Sequence, residues 1–216
     1  MKEGFMMEKI ILIITVVLII HTASISAVAE NIDPYEDDSQ YGWGENIGWI
    51  NFEPDVAGPN PGAQVSGDKL TGLIWAENIG WINLSPTTYG GILNDGNGNL
   101  SGYAWGENVG WINFDPKVTG DANDYGVKID SEGNFSGWAW SENIGWINFN
   151  DTDLFGYAPV ACVVNFDDLA NLADDWLASG SSLPGDLDKS GEVEFSDYGM
   201  LAEKYRDFCP EGWKLK

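Results

Sequence analysis

The chain has 216 residues, with 34 Asp plus Glu against 10 Lys plus Arg, a formal charge of -24 at pH 7, 27 Gly, 11 Trp and 2 Cys. That balance excludes nucleic acid as a direct partner, because backbone recognition needs a basic footprint, and it argues equally against peripheral binding to anionic membrane. The length allows one large or two small domains, each with a modest core.

Residues 1–29 read as a signal peptide. Lys2 and Lys9 lie before the apolar run Ile10 to Ile20, and Ala27-Val28-Ala29 offers the small residues at a signal-peptidase site. An uncleaved N-terminal anchor is the alternative, and both place the rest of the chain outside the cytoplasm. The expected protein is therefore secreted or at the cell surface, with no membrane contact after cleavage. Residues 30–37 form a short acidic segment.

Four copies of one unit follow across 38–158. "WGENIGWINF" at 43–52 recurs as "WAENIGWINL" at 75–84, "WGENVGWINF" at 105–114 and "WSENIGWINF" at 140–149. Upstream of the last three copies, "GDKLTGLIW", "GNGNLSGYAW" and "EGNFSGWAW" also match; the first copy lacks most of this lead-in. Each unit reads as short strands and turns. Period-two alternation puts Trp138 and Trp140 on one face and Gly137 and Ala139 on the other. The link from Glu45 to Gly48 suits a hairpin that brings Trp43 and Trp49 together across the sheet. Gly72, Gly102 and Gly137 hold one position in three copies, which predicts a tight bend or a close backbone approach.

Such a unit cannot bury an apolar face alone, so copies must stack or close on themselves. A four-bladed propeller wants about 40 residues per blade and is a tight fit. The expectation is a mainly β chain: a tandem antiparallel β-repeat domain (short solenoid, prism or sandwich-like), then a small two-helix module. Open ends would allow self-association by edge pairing. Trp43, Trp49, Trp75, Trp81, Trp105, Trp111, Trp140 and Trp146 are expected to form the repeat core. Their N–H groups would be satisfied by the Glu and Asn of each unit. The alternative is a row of exposed indoles that stack on the apolar faces of sugars.

Across 159–212 the pattern changes to two short amphipathic helices, within 164–177 and 193–205, aligned at a spacing of 29. The stretch "DLDKSGEVEFSD" at 186–197 reads as a twelve-residue calcium loop. Asp186, Asp188 and Ser190 fall at positions 1, 3 and 5, Gly191 at the sharp turn, the Glu192 carbonyl at 7 and Asp197 at 12. The equivalent loop from Tyr157, "YAPVACVVNFDD", has no acid until Asp167, so one Ca²⁺ is expected. Cys162 and Cys209 bracket the helix pair and read as one disulfide in an exported chain. Residues 213–216 form a C-terminal tail.

The C-terminal part resembles a dockerin-type module, two calcium-loop-plus-helix halves in tandem. Its "DDWL", "LPGDLD" and terminal "CP" look like the C-terminal modules of secreted planctomycete-type proteins. The resemblance implies Asp186, Asp188, Ser190, Glu192 (backbone) and Asp197 as calcium ligands. It also implies Phe166, Asp167, Phe195 and Ser196 at the positions that recognise a cohesin-like partner; the degenerate first loop and Cys162 depart from the pattern. The central copies resemble "WENIGWI"-type repeats of exported bacterial proteins, a signature without an assigned role.

No catalytic constellation emerges beyond the repeats. The single histidine, His21, lies in the export segment, which leaves Ser-His, Cys-His and His-zinc chemistry without its base or ligand. No glycine-rich nucleotide loop is present. The expected protein is a non-catalytic structural or cell-surface protein, with a β-repeat body and a calcium-stabilised docking module. The alternative is a carbohydrate-binding module that uses its repeated Trp residues. A cohesin-like protein, a surface polysaccharide or a second copy of the chain are the partners implied.

Overall fold

The computed structural model describes residues 31–35, 37–54, 62–150, 158–180, 183–210, 213 and 215. The predicted signal peptide lies outside the described residues. The chain is mainly β, with strands β1 (Tyr41–Gly44), β2 (Gly48–Asn51), β3 (Gln64–Val65), β4 (Lys69–Thr71), β5 (Leu73–Ala76), β6 (Gly80–Asn83), β7 (Ile92–Asn94), β8 (Leu100–Gly106), β9 (Gly110–Asn113), β10 (Lys128–Ile129), β11 (Phe135–Ser136), β12 (Trp138–Ser141) and β13 (Gly145–Asn148). Two helices follow, α1 (Phe166–Asp174) and α2 (Phe195–Lys204).

Each copy contributes one antiparallel hairpin: β1–β2, β5–β6, β8–β9 and β12–β13. The loop is the same each time. Ile47 N–H donates to Gly44 O at 3.1 Å, and Gly48 closes the hairpin at φ +72°, a conformation glycine adopts without steric cost. Neighbouring hairpins pair in one register, in which an Asn of one copy faces a Trp of the next: Asn51 with Trp75, Asn83 with Trp105, Asn113 with Trp140. The fourth pairing, Asn148 with Trp43, joins the last hairpin to the first. The result is a closed eight-stranded antiparallel barrel. This corrects the expected solenoid, prism or sandwich. Closure also pairs the hairpin edges that were to serve head-to-tail assembly, since a barrel has no free edge.

The barrel interior explains the sequence. Gly42, Ile74, Ala104 and Ala139 face Ile50, Ile82, Ile112 and Ile147 across the hairpins. The four isoleucines and Ile74, Ala104 and Ala139 are at most 2% exposed. Eight strands leave room only for side chains that fill one another's gaps, and the layer is met by a small residue opposite isoleucine in three hairpins and a second isoleucine, Ile74, in the fourth. Ile47, Val109 and Ile144, on the hairpin loops, are buried at one mouth. Phe52, Leu84, Phe114 and Phe149 fill the other, and Phe149 lies 5.8 Å from Phe52 and 5.6 Å from Phe114 between ring centroids.

A lower tier of hairpins built from the lead-ins continues this core, with Leu70, Ile92, Leu100, Val127, Ile129 and Phe135 buried. The predicted close approach is present. Gly72, Gly102 and Gly137 have φ of +99°, +91° and +87°, and a Cβ on each would lie 1.9, 2.2 and 2.2 Å from the carbonyl oxygens of Gly62, Gly91 and Gly126. The first copy's missing lead-in is supplied from elsewhere in the chain. Phe135 N–H donates to Pro159 O, Ala161 N–H to Gly133 O, Asp33 N–H to Val160 O, and Ile32 bridges Ala161. The segment that spacing had aligned with a first calcium loop therefore closes the lower tier, together with residues 31–33.

Candidate functional site

The eight repeat tryptophans are outside the barrel, which corrects their assignment to the core. Trp75, Trp81, Trp105 and Trp140 are 36–43% exposed, while Trp43, Trp49, Trp111 and Trp146 are half-buried on the same outer surface. Period-two alternation separated the two faces correctly, but the isoleucine-and-glycine face is the one that fits inside. The predicted cross-hairpin pairing holds in every copy. Ring centroids are 5.1 Å apart for Trp43–Trp49, 5.0 Å for Trp75–Trp81, 4.7 Å for Trp105–Trp111 and 4.9 Å for Trp140–Trp146, all edge-to-face.

The turn asparagines act between copies rather than within one. The side-chain amides of Asn46, Asn108 and Asn143 donate to the turn carbonyls of Ile144, Ile79 and Val109 in the preceding hairpin, at 2.8, 2.9 and 2.9 Å. The glutamate beside each turn asparagine is exposed. A Cβ on Gly48 would lie 2.8 Å from Oε2 of Glu77, so that carboxylate rests over the neighbouring hairpin's turn.

These elements leave grooves between adjacent hairpins. Between copies one and two, a groove of about 570 Å³ is lined by Asp38, Tyr41, Trp49, Asn51, Trp75 and Glu77. Between copies three and four, about 660 Å³ is framed by Tyr103, Trp111 and Asn113 on one side and Trp140, Glu142 and Asn143 on the other, with Tyr89 and Trp105 adjoining. The residues correspond position by position: a Tyr, a Trp and an Asn from one copy meet a Trp and a Glu from the next. Tyr89 packs edge-on to Trp111 at 5.0 Å and holds that indole in place. The signal for these grooves lies in the sequence: Ile and Phe alternate with Trp and Asn in "WINF", and the two sets cannot share one face.

In the C-terminal module the expected disulfide is present, Cys162–Cys209 with Cα atoms 5.3 Å apart. It packs in a second core with Val164, Leu172, Val193, Leu201 and Leu215. The 29-residue duplication recurs in the backbone. Val193 exchanges hydrogen bonds with Leu177 and Ala178, Val164 with Arg206 and Asp207, and Leu177 and Arg206 share positive φ of +64° and +72°.

Of the predicted ligands, the structure brings Asp186, Asp188 and Asp197 together, with one carboxylate oxygen of each within 4.8 Å of the others. Asp197, fully buried, accepts from Leu187 N–H at 2.7 Å and Asp188 N–H at 3.1 Å on Oδ1, and from Glu194 N–H at 2.9 Å on Oδ2. It thus caps α2 and ties the loop to it. Asp186 accepts from Ser190 and Gly191 N–H groups at 2.9 and 2.8 Å, and the Ser190 hydroxyl donates to the Glu192 carbonyl at 3.1 Å. Hydrogen bonds from Ser196 and then Ser190 hold the Asp188 carboxyl below the usual carboxylate range. Gly191 sits at the sharp turn with φ +92°. In the first half, Asp168 caps α1 in the same way, but its other oxygen accepts from the Trp213 indole at 2.7 Å.

Phe166 and Phe195, at equivalent first positions of the two helices, are 71% and 80% exposed. Their rings lie edge-on to Tyr205 at 5.9 Å and Trp176 at 5.2 Å, which are themselves equivalent at the 29-residue spacing. Asp167 accepts from Tyr35 Oη at 3.1 Å, and Ser196 is exposed beside Phe195. No described helix is long and apolar enough to cross a membrane. Comparison with protein-family models, curated proteins and solved structures gives no match to this chain.

Proposed function

We propose that this is a secreted, non-catalytic binding protein whose barrel engages polysaccharide on its outer aromatic grooves. The observation that carries the reading is the outward placement of paired indoles beside Asn and Glu. Aromatic faces stack on the apolar faces of sugar rings, and amide and carboxylate groups at the rim take their hydroxyls. Export fits the disulfide, which persists in oxidising compartments. The C-terminal module is a docking element stabilised by one Ca²⁺ held by Asp186, Asp188, Ser190, the Glu192 carbonyl and Asp197. Calcium takes six to eight hard oxygens from a flexible loop, and the three converging carboxylates are the core of such a set. The exposed Phe166 and Phe195, flanked by Asp167 and Ser196, are the surface this module offers to a cohesin-like protein.

Binding to soluble and insoluble polysaccharides, followed by calorimetry and pull-down, tests this reading. Wild type is expected to bind, and Trp75→Ala with Trp140→Ala, one indole from each groove, to lose binding with the barrel intact by circular dichroism. Equal retention of both proteins on every glycan would refute it. Concentration-dependent oligomers in the absence of glycan would instead favour a structural, self-associating body.

A further inference from the structure

Resting on the glycan reading, we infer that the grooves select an amine-bearing sugar polymer, one whose ring carries a protonated amino group, over neutral or acidic glycans. Each of the two grooves combines aromatic faces with carboxylate: Tyr41, Trp49 and Trp75 with Glu77 and Asp38 in one, Tyr103, Trp111 and Trp140 with Glu142 in the other. Neither lining includes a Lys or Arg among the described residues. The described ion pairs are made by Lys117, Lys128 and Lys204, none of which lines either groove. Among the described residues the groove carboxylates therefore have no cation partner, within a chain of charge -24.

An ammonium group gains from both components at once. The negative faces of Trp and Tyr attract it, and the carboxylate pairs with it while the sugar ring stacks on the neighbouring indole. A neutral sugar uses only the stacking, and an acidic one meets the repulsive field of the whole surface. The same set appears twice, at positions that correspond between copies. Hairpin order around the closed ring puts the groove between copies one and two on the side opposite that between copies three and four. One molecule can therefore hold two polymer strands on opposite sides, and a cationic polymer would be cross-linked by it.

The test titrates the full mature protein with glucosamine hexamer, its N-acetylated counterpart and cellohexaose, at a pH where the free amine is protonated. We expect the amine form to bind at least about tenfold more tightly than either neutral oligomer. The preference should weaken with added salt and with pH raised through the amine's pKa, and Glu77→Gln with Glu142→Gln should remove it. If that double variant does not fold, the salt and pH profiles of the wild type decide. Equal or tighter binding of the neutral oligomers would overturn the charge selection and leave the glycan reading standing. Binding of none of the three, nor of any other glycan, would overturn both.

Discussion

The side-chain amide of Asn46 donates to the carbonyl oxygen of Ile144 at 2.8 Å, joining two turns 98 residues apart. It repeats the bonds from Asn108 to Ile79 and from Asn143 to Val109, but here the partner is the last copy. The same amide bond thus recurs at three of the four hairpin junctions, the remaining one being bridged by the Asn78 backbone N–H to Ile47 O at 3.2 Å, parallel to the strand pairing of Asn148 with Trp43.

In a closed ring, Asn46 and Asn108 do equivalent work. Asn46→Ala and Asn108→Ala are each expected to lower stability by about 1 kcal/mol, the ordinary net value of such a bond. Urea denaturation of the two variants checks this. An Asn46→Ala variant as stable as wild type beside a destabilised Asn108→Ala would mean that the ring is open.

Gly102→Ala meets two obstacles, φ of +91° and a carbonyl oxygen 2.2 Å from the new Cβ. The left-handed backbone alone costs about 1–2 kcal/mol for an L-residue, and displacing the Gly91 backbone adds to it. A fall in thermal midpoint of several degrees is expected. Gly67→Ala, with nothing within 4 Å of the added Cβ, is the control and should melt like wild type.

The Cys162–Cys209 bridge spans 47 positions, for which loop-closure entropy contributes about 4 kcal/mol. Reduction should unfold the helical module, where the bridge sits in the core, while the barrel keeps its coupled-indole signal in circular dichroism. Simultaneous loss of both signals would show that the module supports the barrel.

Asp188 tests the proposed Ca²⁺ loop with least damage to the fold, since it is exposed whereas Asp197 is buried as the cap of α2. Asp188→Asn is expected to weaken Ca²⁺ binding at least about tenfold while α2 persists. Because Ser196 and Ser190 lower the pKa of Asp188, its carboxylate is present at ordinary and mildly acidic pH and is lost only as pH falls below the usual carboxylate range. Asp188 should therefore stay charged in a Ca²⁺ titration repeated at mildly acidic pH. Unchanged affinity in Asp188→Asn would remove this residue from the ligand set.

Much of this architecture is legible in the residues. The "WGENIGWINF" spacing gives the hairpin and the Trp43–Trp49 contact, the recurrent glycine gives the close approach at Gly102, and the 29-residue spacing gives the duplicated module. Which face is buried is not legible, because alternation separates two faces without saying which is inside. Tryptophan's large apolar area favours the core until the narrowness of an eight-stranded barrel is known. Closure was hidden for a related reason: the angle between copies is a tertiary quantity. Pro159 to Ala161 bear little likeness to Val127 to Ile129 yet take the same place through backbone hydrogen bonds, which carry no side-chain signature.

Acrylamide quenching of tryptophan fluorescence decides whether the indoles face outward, since a neutral quencher is not repelled by a strongly acidic surface. A large share of the emission of the folded, ligand-free protein is expected to be quenched, and a bound sugar oligomer to restore it. Emission protected from acrylamide in the native protein and quenched only on unfolding would place the indoles in the core and contradict their outward placement.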